Sequence, residues 1–280
     1  MKFAGSGFLL LTLLALLMLL GCILIPVFGV SPTWIHVDAP LLRVMERWPY
    51  ILGTDDLGRD CLSRLTVGVQ ISLGVGLLTA MVSVAIGTFY GLIAARFEGA
   101  WDSLLMRALD VFYSLPAIVL VIWLNLILSP LLEPVFGQTV ANLTGLTLAI
   151  AFFNWPDTAR LVRAQAMVLK REAYMEAAQT MGLTWLAMAW RHAIPNLASV
   201  FSISILLTIP RAILAESTLS FIGLGIEPPM ASLGSLASDG WQLVRVAPHL
   251  LIESAVFLTV LMIFCRALAH AKMPTPQQAR

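Results

Sequence analysis

The chain has 280 residues, of which 59% are hydrophobic and 12% are charged, and its mean hydropathy is +0.88. A soluble domain of this length carries about a quarter charged residues, so the composition indicates a membrane protein. The formal net charge of +1 argues against a nucleic-acid-binding protein, which needs a basic face.

Six long apolar stretches predict six transmembrane helices, because a helix needs roughly 20 apolar residues to cross about 30 Å of hydrocarbon. The stretches are Phe3–Val37 with its most apolar part at Phe8–Val30, the region between Arg64 and Arg96, Val111–Leu132, Pro134–Pro156, about Ala193–Gly225, and the region between Arg245 and Arg266. The first is longer than the apolar region of a signal peptide and has no A-x-A cleavage site, which favours an uncleaved helix. The predicted fold is therefore an all-α, multi-pass membrane protein with both termini on one side.

The distribution of positive charge predicts the orientation, since cytoplasmic loops collect Lys and Arg. With the N-terminus inside, the inner segments hold ten Lys and Arg residues and the outer loops hold five. Both termini are therefore expected in the cytoplasm, together with the segment Arg171–Asn196. We expect two regions, residues 1–64 with the first helix and an outer loop, and residues 65–280 with a five-helix core.

Charged residues within the apolar stretches are candidates for function, because charges in a membrane are costly. Glu216 and Glu253 lie inside the fifth and sixth stretches, with Arg211 five residues before Glu216 and His249 one helical turn before Glu253. Internal pairing, or contact with water near a span end, is favoured for both carboxylates. The alternative is that they line a path for a transported solute.

Motifs for enzymatic or metal chemistry are not found in the sequence. No lysine follows a G-x-x-x-x-G pattern, so the chain has no Walker A loop of its own. Neither the three cysteines nor the four histidines have the spacing of a metal site or a disulfide framework, and the cysteines read as small apolar residues. These residues are Cys22, Cys61, Cys265, His36, His192, His249 and His270.

The stretch "REAYMEAAQTMGLTWLAMAWRHAIPN" (Arg171–Asn196) is charged and rich in strong helix formers. Gly182 permits a bend between two short helices and Pro195 is expected to end the second, which predicts a cytoplasmic helix–turn–helix over residues 157–196. Two interpretations stay open from spacing alone. The segment lies on the membrane surface through its apolar residues, or it docks a partner. The apolar residues are Trp185, Leu186, Met188 and Trp190.

Three motifs, which occur in the same order as in the family, resemble the permeases of ABC importers of the dipeptide, oligopeptide and nickel branch. "EAAQTMG" followed by "RHAIPN" is similar to the family's EAA loop, with His192 and Ile194 at its isoleucine and leucine positions. "LGTDDLGRDCLSRLTVGVQISLGVG" (Leu52–Gly76) and "AESTLSFIGLGIEPP" (Ala215–Pro229) resemble two further family segments, with Gln70 in place of an arginine. The family's S-W-G appears as Ser232-Leu233-Gly234, and its C-terminal motif is barely traceable in "CRALAHAKMP".

The resemblance implies a permease subunit of a type I ABC importer in the bacterial inner membrane, transporting di- or oligopeptides. Nickel or another small solute is the alternative substrate, and an ATP-independent secondary carrier is the rival class, although no inverted repeat is visible. The implied partners are a second homologous permease, one or two ATPase subunits, a periplasmic or lipoprotein solute-binding protein and membrane lipid, with no nucleic acid. Mg-ATP would bind the ATPase partner, and no cofactor, metal or catalytic residue is expected in this chain.

Carried over residue by residue, the resemblance makes the EAA loop a coupling helix held in a cleft of the ATPase. Glu176 would make the charged contact, Ala177 and Ala178 would allow close approach, and Gly182 would set the bend before Pro195. Closure of the ATPase dimer would then tilt the spans between inward- and outward-facing states. The outer segment Thr54–Arg64 is expected to face the binding protein or brace the first span, or to be a structural loop only.

Overall fold

A computed structural model of the protein describes residues 31–97 and 99–272. The helices of this part are α1 (Cys61–Arg96), α2 (Ala100–Tyr113), α3 (Ala117–Phe136), α4 (Gln138–Leu169), α5 (Ala173–Thr180), α6 (Trp185–Met188), a π-helical turn (Ala189–Ala193), α7 (Ile194–Asn196), α8 (Ala198–Phe221), α9 (Leu233–Gln242) and α10 (Pro248–Lys272). No strand occurs among the described residues, where the only extended pairings are two isolated bridges in the loop before α1. The predicted all-α class is confirmed for this part of the chain.

Four helices of the described part are long and apolar enough to cross a membrane, namely α1, α3, α8 and residues Pro248–Ala269 of α10. They correspond to the second, third, fifth and sixth of the six predicted spans. The first prediction, Phe3–Val37, lies outside the described residues except for 31–37, which form no helix. The predicted count of six and the orientation of the termini stay predictions.

The fourth predicted span, Pro134–Pro156, falls largely within α4, which is covered by other helices along much of its length. Ile150, Ala159 and Val162 of this helix are fully buried. Asn142 and Asn154 lower the hydropathy of its apolar half, and a helix covered by protein needs less apolar surface than one that faces lipid. This explains why α4 has the length of a span without the composition of one.

The helix boundaries near two prolines differ from those predicted. The third span was expected from Val111, but α2 ends at Tyr113 and α3 begins after Pro116, because a proline disfavours helical backbone in the residue before it. The fourth was expected to end at Pro156, yet α4 continues through it to Leu169. Residues 157–169 therefore extend α4, and the prediction that they begin a separate helix–turn–helix is wrong.

Helices α1 and α4 approach each other along a seam of small residues, Ser83, Gly87 and Gly91, spaced four apart on α1. A Cβ atom built on Gly87 would lie 2.8 Å from the carbonyl oxygen of Trp155, and one on Gly91 would lie 2.6 Å from that of Ala159. The hydroxyl of Ser83 donates to a carbonyl of α4, that of Ala151, at 3.1 Å. Small residues at this spacing allow two backbones to touch, as they do in other membrane helix pairs.

The loop before α1 is tied to the helices by buried polar side chains. The carboxylate of Asp55 accepts hydrogen bonds from Arg59 Nε at 2.7 Å and Arg64 Nη1 at 2.6 Å. Arg64 also reaches Asp239 of α9 at 3.3 Å, and Asp60 caps α1 through the backbone N–H of Ser63 at 2.9 Å. The predicted boundary after residue 64 thus falls inside α1, and contact of Thr54–Arg64 with a binding protein stays a prediction.

Candidate functional site

The EAA segment, which we define as residues 171–196, folds into short helices around a glycine turn. Gly182 has φ +81° and separates α5 from α6. The backbone N–H of Gly182 donates to the carbonyl of Gln179 at 3.0 Å, and that of Leu183 donates to the carbonyl of Ala178 at 3.2 Å. These bonds satisfy carbonyl groups at the end of α5, as expected where a helix ends in a left-handed residue. The predicted bend at Gly182 is present.

Pro195 does not end the second short helix, contrary to the prediction. After α6 the chain widens into the π-helical turn, where the N–H of Ile194 donates to the carbonyl of Ala189. Pro195 then lies in the first turn of α7, and the amide of Asn196 donates to the carbonyl of His192 at 2.7 Å. A wider turn accommodates a proline ring, and a side-chain donor replaces one of the bonds that prolines interrupt.

The EAA segment is fixed to the ends of α1 and α4 by a compact apolar cluster. Its buried members are Leu92 and Ala95 of α1, Val162 and Ala166 of α4, Ala189 and Ala193 of the π-helical turn, and Leu197 and Val200 beyond it. The guanidinium of Arg96 lies 5.0 Å above the ring of Trp185, which adds a cation–π contact. The segment therefore packs against both α1 and α4.

The residues predicted for coupling divide between two faces of the EAA segment. Glu176, Ala177, Gly182 and Pro195 are exposed. Ala178 is buried, with 1% of its surface exposed, so its small side chain permits close approach within this chain and not to a partner. Of the two predicted alanines, Ala177 alone is free to meet another protein.

Glu176 borders a polar groove of about 440 Å³ between the EAA segment and the start of α2. Its walls include Phe97, Asp102, Met167, Lys170, Arg171 and Gln179. Within the described part, Glu176 forms no salt bridge, and its carboxylate is exposed. Asp102 is held by Arg163 of α4 through a bond of 2.6 Å, which lowers the pKa of the Asp102 carboxyl.

The opposite side of the segment is apolar. Leu186 and Trp190 are exposed and line a cavity of about 620 Å³ together with Met81 and Phe89 of α1 and Phe201 of α8. Trp185 and Met188 are half-buried. The two interpretations from sequence therefore use different faces, since the apolar side suits lipid or an apolar surface and the Glu176 side suits a polar partner.

Glu216, one of the two predicted membrane carboxylates, is completely buried in its own chain. Its oxygens accept hydrogen bonds from Ser220 at 2.7 Å, Ser72 at 2.9 Å and Ser217 at 3.3 Å. The hydroxyl of Ser72 lies 3.3 Å from the N–H of Leu233, which starts α9. The cluster joins α1, α8 and α9, and within the described part of the chain it leaves no surface of Glu216 exposed.

Glu253 lies in α10 beside a small cavity of about 30 Å³ that Cys61, Arg64 and Asp239 also line. Both of its carboxylate oxygens, and Nε2 of His249, are buried without a hydrogen-bond partner in the described part of the chain. Internal pairing of Glu253 is therefore not seen among these residues. Its place in a solute path stays a prediction.

Arg211 does not pair with Glu216. Five residues along an α-helix correspond to a rotation of about 140° beyond one full turn, which places the two side chains on different faces. Arg211 instead forms a salt bridge with Asp157 of α4. Sequence analysis missed Asp157, because 54 residues separate it from Arg211 and no local pattern connects them.

The described part of the chain is an all-α bundle with helices that can cross a membrane and an exposed polar segment bent at a glycine, as in a multi-pass membrane protein. The family model described as "Binding-protein-dependent transport system inner membrane component" matches residues 87–271, and the chain belongs to this family. It is a multi-pass protein of the inner membrane, and the suspected resemblance is confirmed.

The relatives found include permeases with peptide-type substrates in their names. The chain is 41% identical over 216 residues to the oligopeptide transport system permease protein OppC of Haemophilus influenzae, covering 77% of this chain and 66% of that protein. It is 37% identical over 212 residues to the glutathione transport system permease protein GsiD of Pectobacterium atrosepticum, covering 75% and 67%. The match thus spans about two thirds of each relative's length.

Solved structures support the fold. The chain superposes on an inward-facing structure of the MetNI methionine ABC transporter with a TM-score of 0.52, covering 75% of this chain and 97% of that one. Sequence identity in this alignment is 18%, so the likeness concerns the fold alone.

Substitution of Gly182 tests whether the bend is needed. A Cβ atom at this position meets nothing within 4 Å, so an added Cβ is resisted by the positive φ and not by its neighbours. We expect Gly182→Val to cost about 1–2 kcal/mol in forming the turn, which lowers the equilibrium constant for turn formation roughly 5–30-fold. Solute uptake by the assembled transporter should fall accordingly.

Gly182→Asn is the matched control, because asparagine tolerates left-handed backbone much better than valine. Its uptake should stay close to that of the unaltered protein. Equal uptake by the valine and asparagine variants would contradict a requirement for this turn.

Proposed function

We propose that the chain is one of two permease subunits of an ATP-driven importer for short peptides. The observation that carries the proposal is the EAA segment, which presents Glu176 outward while Ala189, Ala193 and Leu197 fix it to α1 and α4. Such an arrangement suits a handle that a partner moves. Peptides are favoured over nickel because the relatives described above are named for oligopeptides and glutathione.

In this proposal, the EAA segment faces the cytoplasm and docks on an ATPase subunit that binds Mg-ATP. Glu176 and Ala177 meet the ATPase cleft, and the polar groove beside Glu176 receives side chains of the partner. Closure of the ATPase pair moves the segment as a rigid body with α1 and α4, which changes the side from which the path is open. A solute-binding protein delivers the peptide to the outer surface.

The experiment is to extract the tagged chain gently from native membranes and identify the proteins that copurify. A second permease of similar size and one or two ATPase subunits are the expected result. A chain that purifies alone or as a homo-oligomer would contradict the proposal and favour an ATP-independent carrier.

A further inference from the structure

A row of charged and aromatic side chains connects α2, α4 and α8. The carboxylate of Asp157 accepts a hydrogen bond from the hydroxyl of Tyr113 at 2.6 Å and is also bound by Arg211. The guanidinium of Arg160 lies 4.9 Å above the ring of Tyr113 and donates to Asp110 at 2.6 Å. Two cations and two carboxylates thus form a continuous, charge-balanced row.

The row lies on an open face of the bundle. The side chains of Arg211 and Asp157 are 58% and 49% exposed, whereas Arg163 and Asp102, which join the same helices α2 and α4, are 25% and 15% exposed. The second pair is enclosed and braces the helices. The first pair is accessible to another molecule.

The position of Arg211 along α8 bears on whether this face meets lipid. Arg211 is the fourteenth of the 24 residues of the helix, and a rise of 1.5 Å per residue puts it about 20 Å from the first residue. Charged side chains near the middle of a spanning helix face the bundle interior or a water-filled cavity, because exposure to lipid is too costly. Exposure of the face around Arg211 to lipid is therefore disfavoured, and this face meets water or a partner subunit in the assembled transporter.

A cavity next to Arg211 provides space for a solute. It measures about 290 Å³, close to the lower end for small-molecule sites, and lies between α8 and α10. Its walls are mainly apolar, with Leu207, Leu214 and Met262 among them, and Arg266 is a second guanidinium on the opposite helix. A cation beside an apolar wall suits a molecule with both a carboxylate and hydrocarbon side chains.

We infer that Arg211 binds the terminal carboxylate of a peptide in the transport path, and that Asp157 holds the guanidinium when no peptide is present. The inference rests on the proposed function and names the chemical group that the path recognises. The planar guanidinium of Arg211 can form the same paired hydrogen bonds with the carboxylate of Asp157 and with that of a peptide. Exchange is inexpensive, because ion pairs that are half-exposed contribute little net stability.

The test measures the protection of a cysteine by a peptide. Leu214→Cys is introduced into the complete transporter, with the three native cysteines replaced by serine, because Leu214 lines the cavity and is 43% exposed. The rate of labelling by a charged, water-soluble thiosulfonate is measured with increasing trialanine or trialanine amide. Trialanine should protect the cysteine at concentrations about 10–100-fold lower than its amide, the range expected for a charge-assisted hydrogen bond.

Two substitutions identify the residue responsible. Arg211→Gln should abolish the difference between the two peptides, whereas Arg107→Gln, which removes an exposed cation from α2 outside the cavity, should preserve it. Loss of thermal stability in Arg211→Gln with the difference intact would show a bracing role and overturn the inference. Equal protection by both peptides, or by neither, would also overturn it.

The same preparations report separately on the proposed function. ATPase subunits that copurify, and ATP-driven uptake of peptide, support the importer whatever the labelling shows. An active, fully assembled importer whose Leu214→Cys does not distinguish the two peptides would overturn the carboxylate site alone.

Discussion

Glu176→Lys is expected to abolish ATP-driven uptake while the chain still inserts and folds. The carboxylate is exposed and forms no salt bridge in the described part of the chain, so its reversal leaves internal packing unchanged. At a protein interface, juxtaposed like charges cost several kcal/mol, and each 1.4 kcal/mol is a tenfold change in affinity. The affinity of the purified permease for the ATPase, measured by titration, should therefore fall by at least about a hundredfold.

Glu172→Lys is the matched control for charge. Glu172 is also exposed, lies at the start of the same helix, and its replacement changes the net charge and the helix-terminal electrostatics in the same way. The affinity for the ATPase should decrease much less in this variant. If both variants retained the ATPase and took up solute normally, the assignment of the EAA segment as the coupling element would be wrong.

Glu216→Ala is expected to cause a large loss of stability. The change leaves a cavity and removes the acceptor for the hydroxyls of Ser72, Ser217 and Ser220. Cavities and unsatisfied buried groups together cost about 2–5 kcal/mol. The thermal unfolding midpoint of the purified permease in detergent should fall markedly, and the yield from membranes with it.

Glu227→Ala provides the comparison, because Glu227 follows α8 in the turn and is exposed. A surface substitution of this kind changes stability by at most about 0.5 kcal/mol. Glu216→Gln, which keeps the shape of the side chain, should fall between the two alanine variants. An unchanged midpoint for Glu216→Ala would show that the hydroxyl cluster does not stabilise the contact of α1 with α8 and α9.

Local chemistry accounts for what the sequence predicted correctly. The long apolar stretches correctly predicted α1, α8 and α10, and Gly182 marked the bend because left-handed backbone strongly favours glycine. Prolines were less informative, since Pro116 precedes a helix whereas Pro156 lies inside one. Neighbouring helices supply packing and hydrogen bonds that let a membrane helix continue through a proline, and a single sequence does not contain that context.

Side-chain partners distant along the chain could not be predicted at all. Glu216 was recognised as unusual, but its hydroxyl partner Ser72 lies 144 residues away. The pairing of Arg211 with Asp157 depends on how α4 and α8 lie side by side. Ala178 was expected to face a partner because the resemblance places it in the coupling helix, while only the packed structure shows which face of that helix is covered.

The seam between α1 and α4 has a consequence for biosynthesis. Ser83 and Thr79 of α1 donate to carbonyl oxygens that are each 68 residues later in the chain. At about 5–20 residues per second, the ribosome completes that stretch several seconds after α1 has emerged. During this interval the glycine-lined face of α1 is without its partner, and its hydroxyls can turn to carbonyls of their own helix. Insertion of α1 into the membrane thus precedes its packing against α4. During synthesis, the permease passes through a stage in which α1 is in the membrane and α4 is not yet complete.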